Sequence, residues 1–287
     1  MKINSKCRAC DKTQWGETLV AQGSHGSTEV KNTESFTYAE CLICGSWNLQ
    51  GIKIDNQFYS KHYSDTYYDK PSGIKAVLEK VFSAYRNWVR QRMILRFSKS
   101  NGDKVKILDI GSGNGNFISS LPSTVFAKSA IDVEEMQKEN ATHVTFYKGD
   151  FLTMQLPKET FDVITAWHVI EHISNPQLFI DRASSLLKKN GVLIMSTPNS
   201  NSFGFQKGKA AWFHLDAPRH IVIFSQKGLQ LAAQGNVKLK EVLHENFEFP
   251  LDIFWTQKRL GKSILIALIS TFNKINNHET FTAIFQK

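Results

Sequence analysis

The sequence predicts an α/β protein in which a mostly parallel sheet, covered by helices, follows a small metal-stabilised module. Three observations carry that prediction. Short apolar runs alternate with helical stretches from residue 105 onward. A glycine-rich turn joins the first of those runs to the helix after it. All four cysteines lie within the first 44 residues, as two Cys-x-x-Cys pairs. Strands alternating with helices argue for a parallel sheet with both faces covered.

The chain has 287 residues, which suits one large domain plus a small one. Its composition is 41% hydrophobic and 21% charged, which excludes disordered, collagenous and disulfide-rich classes. No run approaches the roughly 18–20 apolar residues a membrane span needs; Ile264 to Ile269 is the longest candidate. Met1 to Arg8 is basic, with no apolar stretch after it, so no secretory signal and a cytoplasmic location are expected.

Cys7 and Cys10 are separated from Cys41 and Cys44 by 30 residues. Two thiolate pairs brought together by turns satisfy tetrahedral Zn²⁺, and four sulfur ligands leave no open position for water. A disulfide framework does not suit a reducing cytosol. A redox dithiol or four unrelated thiols would explain one pair better than two. Glu34 to Tyr38 alternates as a strand, so residues 1–60 read as a zinc-ribbon-like module held mainly by its metal.

Phe58 to Tyr68 is tyrosine-rich and poorly periodic, and reads as a linker or cover. From Lys75 to Phe97, apolar residues recur at helical spacing beside Arg86, Arg90, Arg92 and Arg96, predicting a long basic amphipathic helix. Residues 61–102 therefore form a helical connector and 103–287 the main domain. Val105 to Ile110 is a strand running into Gly111-Ser112-Gly113-Asn114-Gly115 and a helix over Asn116 to Leu121. Further strands are expected at Ser129–Val133, Val144–Lys148, Phe161–Ala166 and Gly191–Ser196, with a clear helix at Pro176–Lys188.

Glycines at such a turn let backbone approach a ligand where a side chain would collide. Alone the turn is weak evidence, but three carboxylates end the first three strands: Asp109, Asp132 and Asp150. An acid after the second strand can accept both hydroxyls of a ribose, and one after the third can accept an exocyclic amine. A dinucleotide site would place a glycine at position 116, which is Asn116.

With these motifs in place, the chain resembles the class I S-adenosylmethionine (SAM)-dependent methyltransferases. The resemblance runs through ILDIGSGNGNF (107–117), AIDVEEM (130–136), GDF (149–151), FDVITAWHVIEHISNP (161–176) and GVLIMSTPN (191–199). It implies a Rossmann-like sheet whose last strand is antiparallel, with Val237–Phe249 and Glu279–Gln286 as the final pair. It also implies that Asp109, Gly111, Gly113 and Gly115 face the methionine end of SAM. Asp132 and Val133 would then lie at the ribose, Asp150 and Phe151 at the adenine, and Trp167 and His168 along the site.

His168-Val-Ile-Glu171-His172 also reads as the inverted zinc-protease pattern, but it follows a strand where the resembling family carries a similar pair, so no protease is expected. No cysteine is left in the main domain to attack a pyrimidine, and Ala166-Trp167-His168-Val169 stands where adenine-amine methylation uses Asn/Asp-Pro-Pro-aromatic. The net charge of +9 keeps RNA in view, although the basic residues are scattered and nucleic acid is not the expected partner.

Residues 199–225 exceed what the sheet requires and read as a substrate lid. They hold Phe203, Phe205, Trp212 and Phe213 as apolar walls, with polar His214, Asp216, Arg219 and His220. His214 to His220 is similar to a Pro-Arg-His stretch in the branch near ubiquinone-biosynthesis O-methyltransferases and bacterial surface-sugar methyltransferases. Methyl transfer to a hydroxyl needs alignment and removal of one proton, which suits a histidine. His220 leads as the base, with His214 and His168 behind it. Arg219 either holds an anionic group or ties the lid to Asp216. The apolar stripe over 254–275, edged by Lys258, Arg259, Lys262 and Lys274, fits core, a homodimer interface or a peripheral membrane contact. The expected function is O-methylation of a small molecule, namely a sugar or surface-polysaccharide precursor. An RNA- or ribosome-directed methyltransferase and a catalytically silent SAM-binding scaffold are the alternatives.

Overall fold

The structure is a computed structural model that describes residues 5–23, 34–63, 74–98, 102–137, 142–244 and 278–287. The stripe over 254–275 lies outside the described residues. Among them, no helix is long and apolar enough to cross a membrane.

The N-terminal part forms β1 (Trp15–Gln22), β2 (Ser35–Cys41) and β3 (Trp47–Leu49), paired antiparallel in that order. A short helix α1 (Asn56–His62) follows where the sequence reads as a linker. Asp55 starts it by accepting from the amides of Gln57 and Phe58. Seven residues are too few for a helix to persist alone, so α1 depends on packing that periodicity does not report. Phe58 and His62 are buried, the His62 ring meeting Phe36 edgewise and Phe58 at a tilt.

Helix α2 (Ile74–Phe97) matches the expected amphipathic connector. Its C-terminal half buries Met93 and Ile94, while Tyr85 and Trp88 remain exposed. The main domain is built from β4 (Val105–Ile110), α3 (Asn116–Ser120), β5 (Phe126–Asp132), β6 (Val144–Lys148), β7 (Phe161–Trp167), α4 (Pro176–Leu186) and β8 (Leu187–Pro198). Asn175 caps α4 and Pro176 occupies its first turn, where a missing N–H costs nothing. The lid contributes α5 (Phe203–Gly208), two 3₁₀ turns and β9 (Val222–Ile223), and then come α6 (Gln226–Ala232), β10 (Lys238–Leu243) and β11 (Thr280–Gln286).

The large sheet runs β10-β11-β8-β7-β4-β5-β6. β4 through β8 pair in parallel, and β11 is antiparallel to both β8 and β10. Strand order reverses beside β4, the place where ligands bind at the carboxyl ends of an open α/β sheet. This is the expected Rossmann-like sheet with an antiparallel last strand.

The second sheet was not anticipated. β9, from the lid, adds to the N-terminal strands in the order β1-β2-β3-β9. One hydrophobic core accordingly runs from Cys7, Tyr38 and Trp47 through Phe205, Trp212 and Ile221–Phe224 to Leu108 and Ile164 on the large sheet. Burying an aromatic or branched side chain of this kind contributes about 1.5–3 kcal/mol, so module and main domain are welded rather than tethered. A second core packs Met93 and Ile94 of α2 against Ile107, Phe126, Val163 and Ile194 on the opposite face.

Candidate functional site

The glycine turn leaves β4 with Gly111, Gly113 and Gly115 all at positive φ. At Gly111 an added Cβ would lie 2.4 Å from Val169 Cγ2, so the turn needs both the conformation and the space. Asp132, at the end of β5, holds the turn: its Oδ2 accepts from Gly113 N at 2.7 Å and its Oδ1 from Glu134 N at 3.0 Å. Each oxygen keeps acceptor capacity for a further donor such as a ribose hydroxyl. Val133 beside it is exposed. Asp150 caps the turn after β6 by accepting from Leu152 N at 2.9 Å. Phe151 turns inward, its ring 5.0 Å from Phe179 and covered by Arg182.

Asp109 is buried at the end of β4 and accepts a 2.7 Å hydrogen bond from Thr165 Oγ1. Burial drives its pKa up to about 7, with Asp132 adding to the rise and Thr165 and Arg90 opposing it. Arg90, from α2, sits 4.2 Å from the Trp167 ring and 5.4 Å from Phe117. A carboxyl and a guanidinium side by side match the ammonium and carboxylate of an amino-acid end. The Trp167 Nε1 and Ser112 Oγ atoms are buried here without a hydrogen-bond partner. Two unpartnered donors, a glycine turn and three carboxyl groups offer the donors, space and acceptors that the amino-acid end, ribose and adenine of SAM call for, so the residues present fit it. Arg90 was invisible as a site residue because nothing distinguishes it in sequence from the three other arginines of its helix.

After β7 the chain makes a 3₁₀ turn over Ile170–His172 instead of a longer helix. The inverted zinc-protease geometry, which needs both histidines on one helix face, is therefore absent. His168, at φ 57°, pairs its Nδ1 with Glu171 Oε1 at 3.2 Å. Against the turn lies the lid segment. His172 Nδ1 donates to Arg219 O at 3.0 Å and also meets Tyr63 Oη at 2.7 Å; His220 Nδ1 donates to His214 O at 2.7 Å. With both Nδ1 protons committed to carbonyls, each ring keeps its lone pair on Nε2. The two rings stack edgewise at 4.7 Å.

Burial, then the neighbouring cationic groups, push His172 and His220 down to about 4, so both are neutral at physiological pH. Burial works against the Glu171 carboxylate, but the His168 hydrogen bond and the surrounding imidazoles outweigh it and hold it at about 2. Glu171, His172 and His220 bring one donor atom each within 4.8 Å of the others, a set able to hold a proton or a cation. The sequence alone assigns neither Glu171 nor His172 to the site. Tyr63 is missed because its segment reads as a linker.

The lid differs from expectation in one respect. Phe205 is buried between Trp47 and Trp212, edge to face at 5.4 and 5.2 Å, so it belongs to the core, while the buried Trp212 also lines a cavity with Val20, Ala211 and Leu215. Large aromatic surfaces are driven inward once the module offers a partner. Phe203 and Phe213 stay partly exposed, and His214 packs its ring on Trp212. Arg219 ties to Asp216 at 2.5 Å, the second of its two expected roles.

The four cysteines converge. Cys7 and Cys44 Sγ are 3.6 Å apart, Cys10 and Cys41 Sγ 3.5 Å, and all four lie within 4.8 Å of one another. No disulfide joins them. A tetrahedron with Zn–S of about 2.3 Å has edges of about 3.8 Å, so the cluster fits zinc. Hydrogen bonds from Cys7 and Ser46 hold the Cys44 thiol down to about 5, while Cys7 is raised by its bond to Cys44 and by burial, and Cys10 is pushed up to about 12 by burial. The Cys44 bond and burial oppose a thiolate at Cys7, as burial does at Cys10, and a divalent cation is what would deprotonate both. Asn48 supports the set, accepting from Arg8 N and donating to Cys7 Sγ at 3.4 Å.

A family model described as a methyltransferase domain matches residues 79–236, more than half of the chain. The chain is 30% identical over 196 residues to the ubiquinone biosynthesis O-methyltransferase of Pelagibacter ubique, spanning 58% of this chain and 77% of that protein. It is 26% identical over 166 residues to the protein of that name from Rickettsia felis, spanning 54% of this chain and 62% of the relative. In fold it is similar to a SAM-dependent methyltransferase from Mesorhizobium loti, with a TM-score of 0.50 over 72% of this chain and 100% of that one at 12% identity. The chain thus belongs to the methyltransferase-domain family, and it is a SAM-dependent methyltransferase.

Proposed function

We propose that the chain methylates a hydroxyl oxygen of a small-molecule acceptor, with His220 taking the proton. The observation that carries this reading is the shared location of two sites. The imidazole–carboxylate cluster of Glu171, His172 and His220 stands just beyond Val169, whose side chain packs on Gly111 of the glycine turn. Asp109, Gly111, Gly113, Gly115, Asp132, Asp150 and Trp167 hold the donor. When bound, SAM supplies a methyl group activated by its sulfonium. The chain supplies alignment and one proton transfer. His220 presents a free Nε2 lone pair in a buried setting, and the Glu171 carboxylate nearby stabilises the imidazolium that forms. His214 and His168 remain the other candidate bases. A structural zinc ion at Cys7, Cys10, Cys41 and Cys44 completes the reading and rests on the sulfur geometry.

The names of the two relatives support an oxygen acceptor, and they bring no support for a sugar or surface-polysaccharide precursor. Incubation with methyl-tritiated SAM and fractionated cell extract tests the acceptor. Label in a small-molecule, glycolipid or quinone-lipid fraction, lost in His220→Ala, supports the proposal. RNase-sensitive label would favour an RNA substrate, and tight cofactor binding without any label would mark a silent scaffold.

A further inference from the structure

The four-cysteine module and the lid form one hydrogen-bonded unit. Cys41 to Gly45 is a tight knuckle, closed by Gly45 N donating to Cys41 O at 2.7 Å. The lid side takes up the knuckle's next carbonyls: Ser225 Oγ donates to Cys44 O, and Ser200 Oγ donates to Gly45 O at 2.9 Å. Ser225 also donates its amide to Ser46 Oγ at 3.1 Å and accepts from Gly228 N at 2.8 Å, so it joins the knuckle to the start of α6. Immediately after the knuckle, β3 pairs with β9 through Trp47↔Ile223 and Asn48↔Val222, and Leu49 N donates to Ile221 O at 2.9 Å.

These contacts reach the proposed base. Tyr38, fully buried on β2 three residues before Cys41, donates its hydroxyl to the His220 carbonyl at 2.8 Å. Ile221 N, on the other side, donates to the Glu171 carbonyl at 2.8 Å. The backbone that carries His220 is therefore held between a cysteine-bearing strand and the turn that carries Glu171.

We propose that metal bound by Cys7, Cys10, Cys41 and Cys44 controls the order of the lid, acting as a positioning device for His220 rather than as a stabiliser of the module alone. This rests on the zinc reading of the module. The ion would tie the turn at Cys7–Cys10 to the knuckle at Cys41–Cys44, and its loss would leave four crowded thiols in place of that link. Loss of the ion releases β2 and β3, and with β3 the one strand that β9 pairs with in the small sheet among the described residues. The cofactor half, β4 through β6, takes its strand pairing from the large sheet and keeps it.

Hydrogen exchange on the full chain tests this, with metal content and S-adenosylhomocysteine (SAH) affinity measured in parallel, before and after treatment with EDTA. The zinc-loaded chain is expected to hold about one zinc per chain. On removal, peptides covering 38–50 and 214–225 should exchange about tenfold faster, while those covering 105–132 keep their rates and SAH affinity stays within about twofold. Wild-type protection of 214–225 after the metal has gone would overturn the coupling. Purified chain without metal would overturn the zinc reading itself, and the coupling with it. Should EDTA unfold the whole chain, zinc-loaded Ser225→Ala and Tyr38→Phe decide. With zinc content unchanged, faster exchange of 214–225 supports the proposal, and wild-type rates refute it.

Discussion

Cofactor affinity should depend on pH through Asp109. Its carboxyl, buried and raised to about 7, is largely protonated in the ligand-free chain below that pH. A ligand that brings an ammonium group to this position favours the carboxylate, so binding must release a proton. For a group of pKa near 7 that ionises on binding, the penalty is about 1.4 kcal/mol at pH 6 and close to zero at pH 8. SAH should therefore bind about tenfold more weakly at pH 6 than at pH 8. His172 and His220 titrate near 4 and stay out of this window. The assay is calorimetric titration in buffers of different ionisation enthalpy, which counts released protons directly. Asp109→Asn should bind with a flat pH profile and release none. It should also stabilise the ligand-free chain at pH 8: a carboxyl whose folded pKa is raised gives stability below about 4 and loses it as pH climbs through 7, by about 2–4 kcal/mol. A flat wild-type profile, or proton release that survives in Asp109→Asn, would refute the reasoning.

The acid limb of stability has a different source. His172 and His220 have folded pKa values below their unfolded ones, so their contribution is complete above about 6.5 and drains away as pH falls toward 4. In the Asp109→Asn background, which removes one opposing group, denaturant melts should lose roughly 3 kcal/mol, half the full linkage of the pair, because His172 keeps some solvent contact and Glu40, raised by burial, works against the loss to which His244 and His278 add. Constant stability from pH 6.5 to 4 would show the rings are not held neutral. Gly111→Ala forces a Cβ to 2.4 Å from Val169 at a φ of 66°, and should reduce SAH affinity about 5- to 150-fold through a turn distortion of roughly 1–3 kcal/mol; wild-type affinity would show that the turn yields. Glu279 accepts from Gly204 N at 3.0 Å, Trp212 Nε1 at 2.5 Å and Ser202 Oγ at 3.3 Å, pinning the lid to β11. Glu279→Ala strands those donors and should cost about 2–3 kcal/mol in chemical denaturation, and a loss below 0.5 kcal/mol would mean water replaces it.

The parallel sheet was readable because its central strands are buried on both faces and so appear as continuous apolar runs such as Val105–Ile110. The acids at the ends of those strands could be located for the same reason, since each interrupts its run. The cysteine pairs announce themselves by spacing. What could not be read is the joining of module to lid. The pairing of Trp47 with Ile223 links two very short apolar segments 176 residues apart, and neither segment carries a periodicity long enough to declare a strand. Tyr63, Tyr38 and Arg90 went unnoticed on similar grounds: each acquires its role from a neighbour distant in the chain. Burial of Phe205 in the core is likewise a tertiary effect of the module that local composition does not show.

The account stands on SAM being held between the glycine turn and Asp132. Titration of the full chain with SAH, paired with Asp132→Ala, is the most direct measurement of it. The wild-type chain should bind one equivalent saturably, and Asp132→Ala should weaken that binding by about 1–3 kcal/mol through lost hydrogen bonds to a charged acceptor. Absence of saturable binding by the wild-type chain, or equal affinity in the variant, would contradict the account.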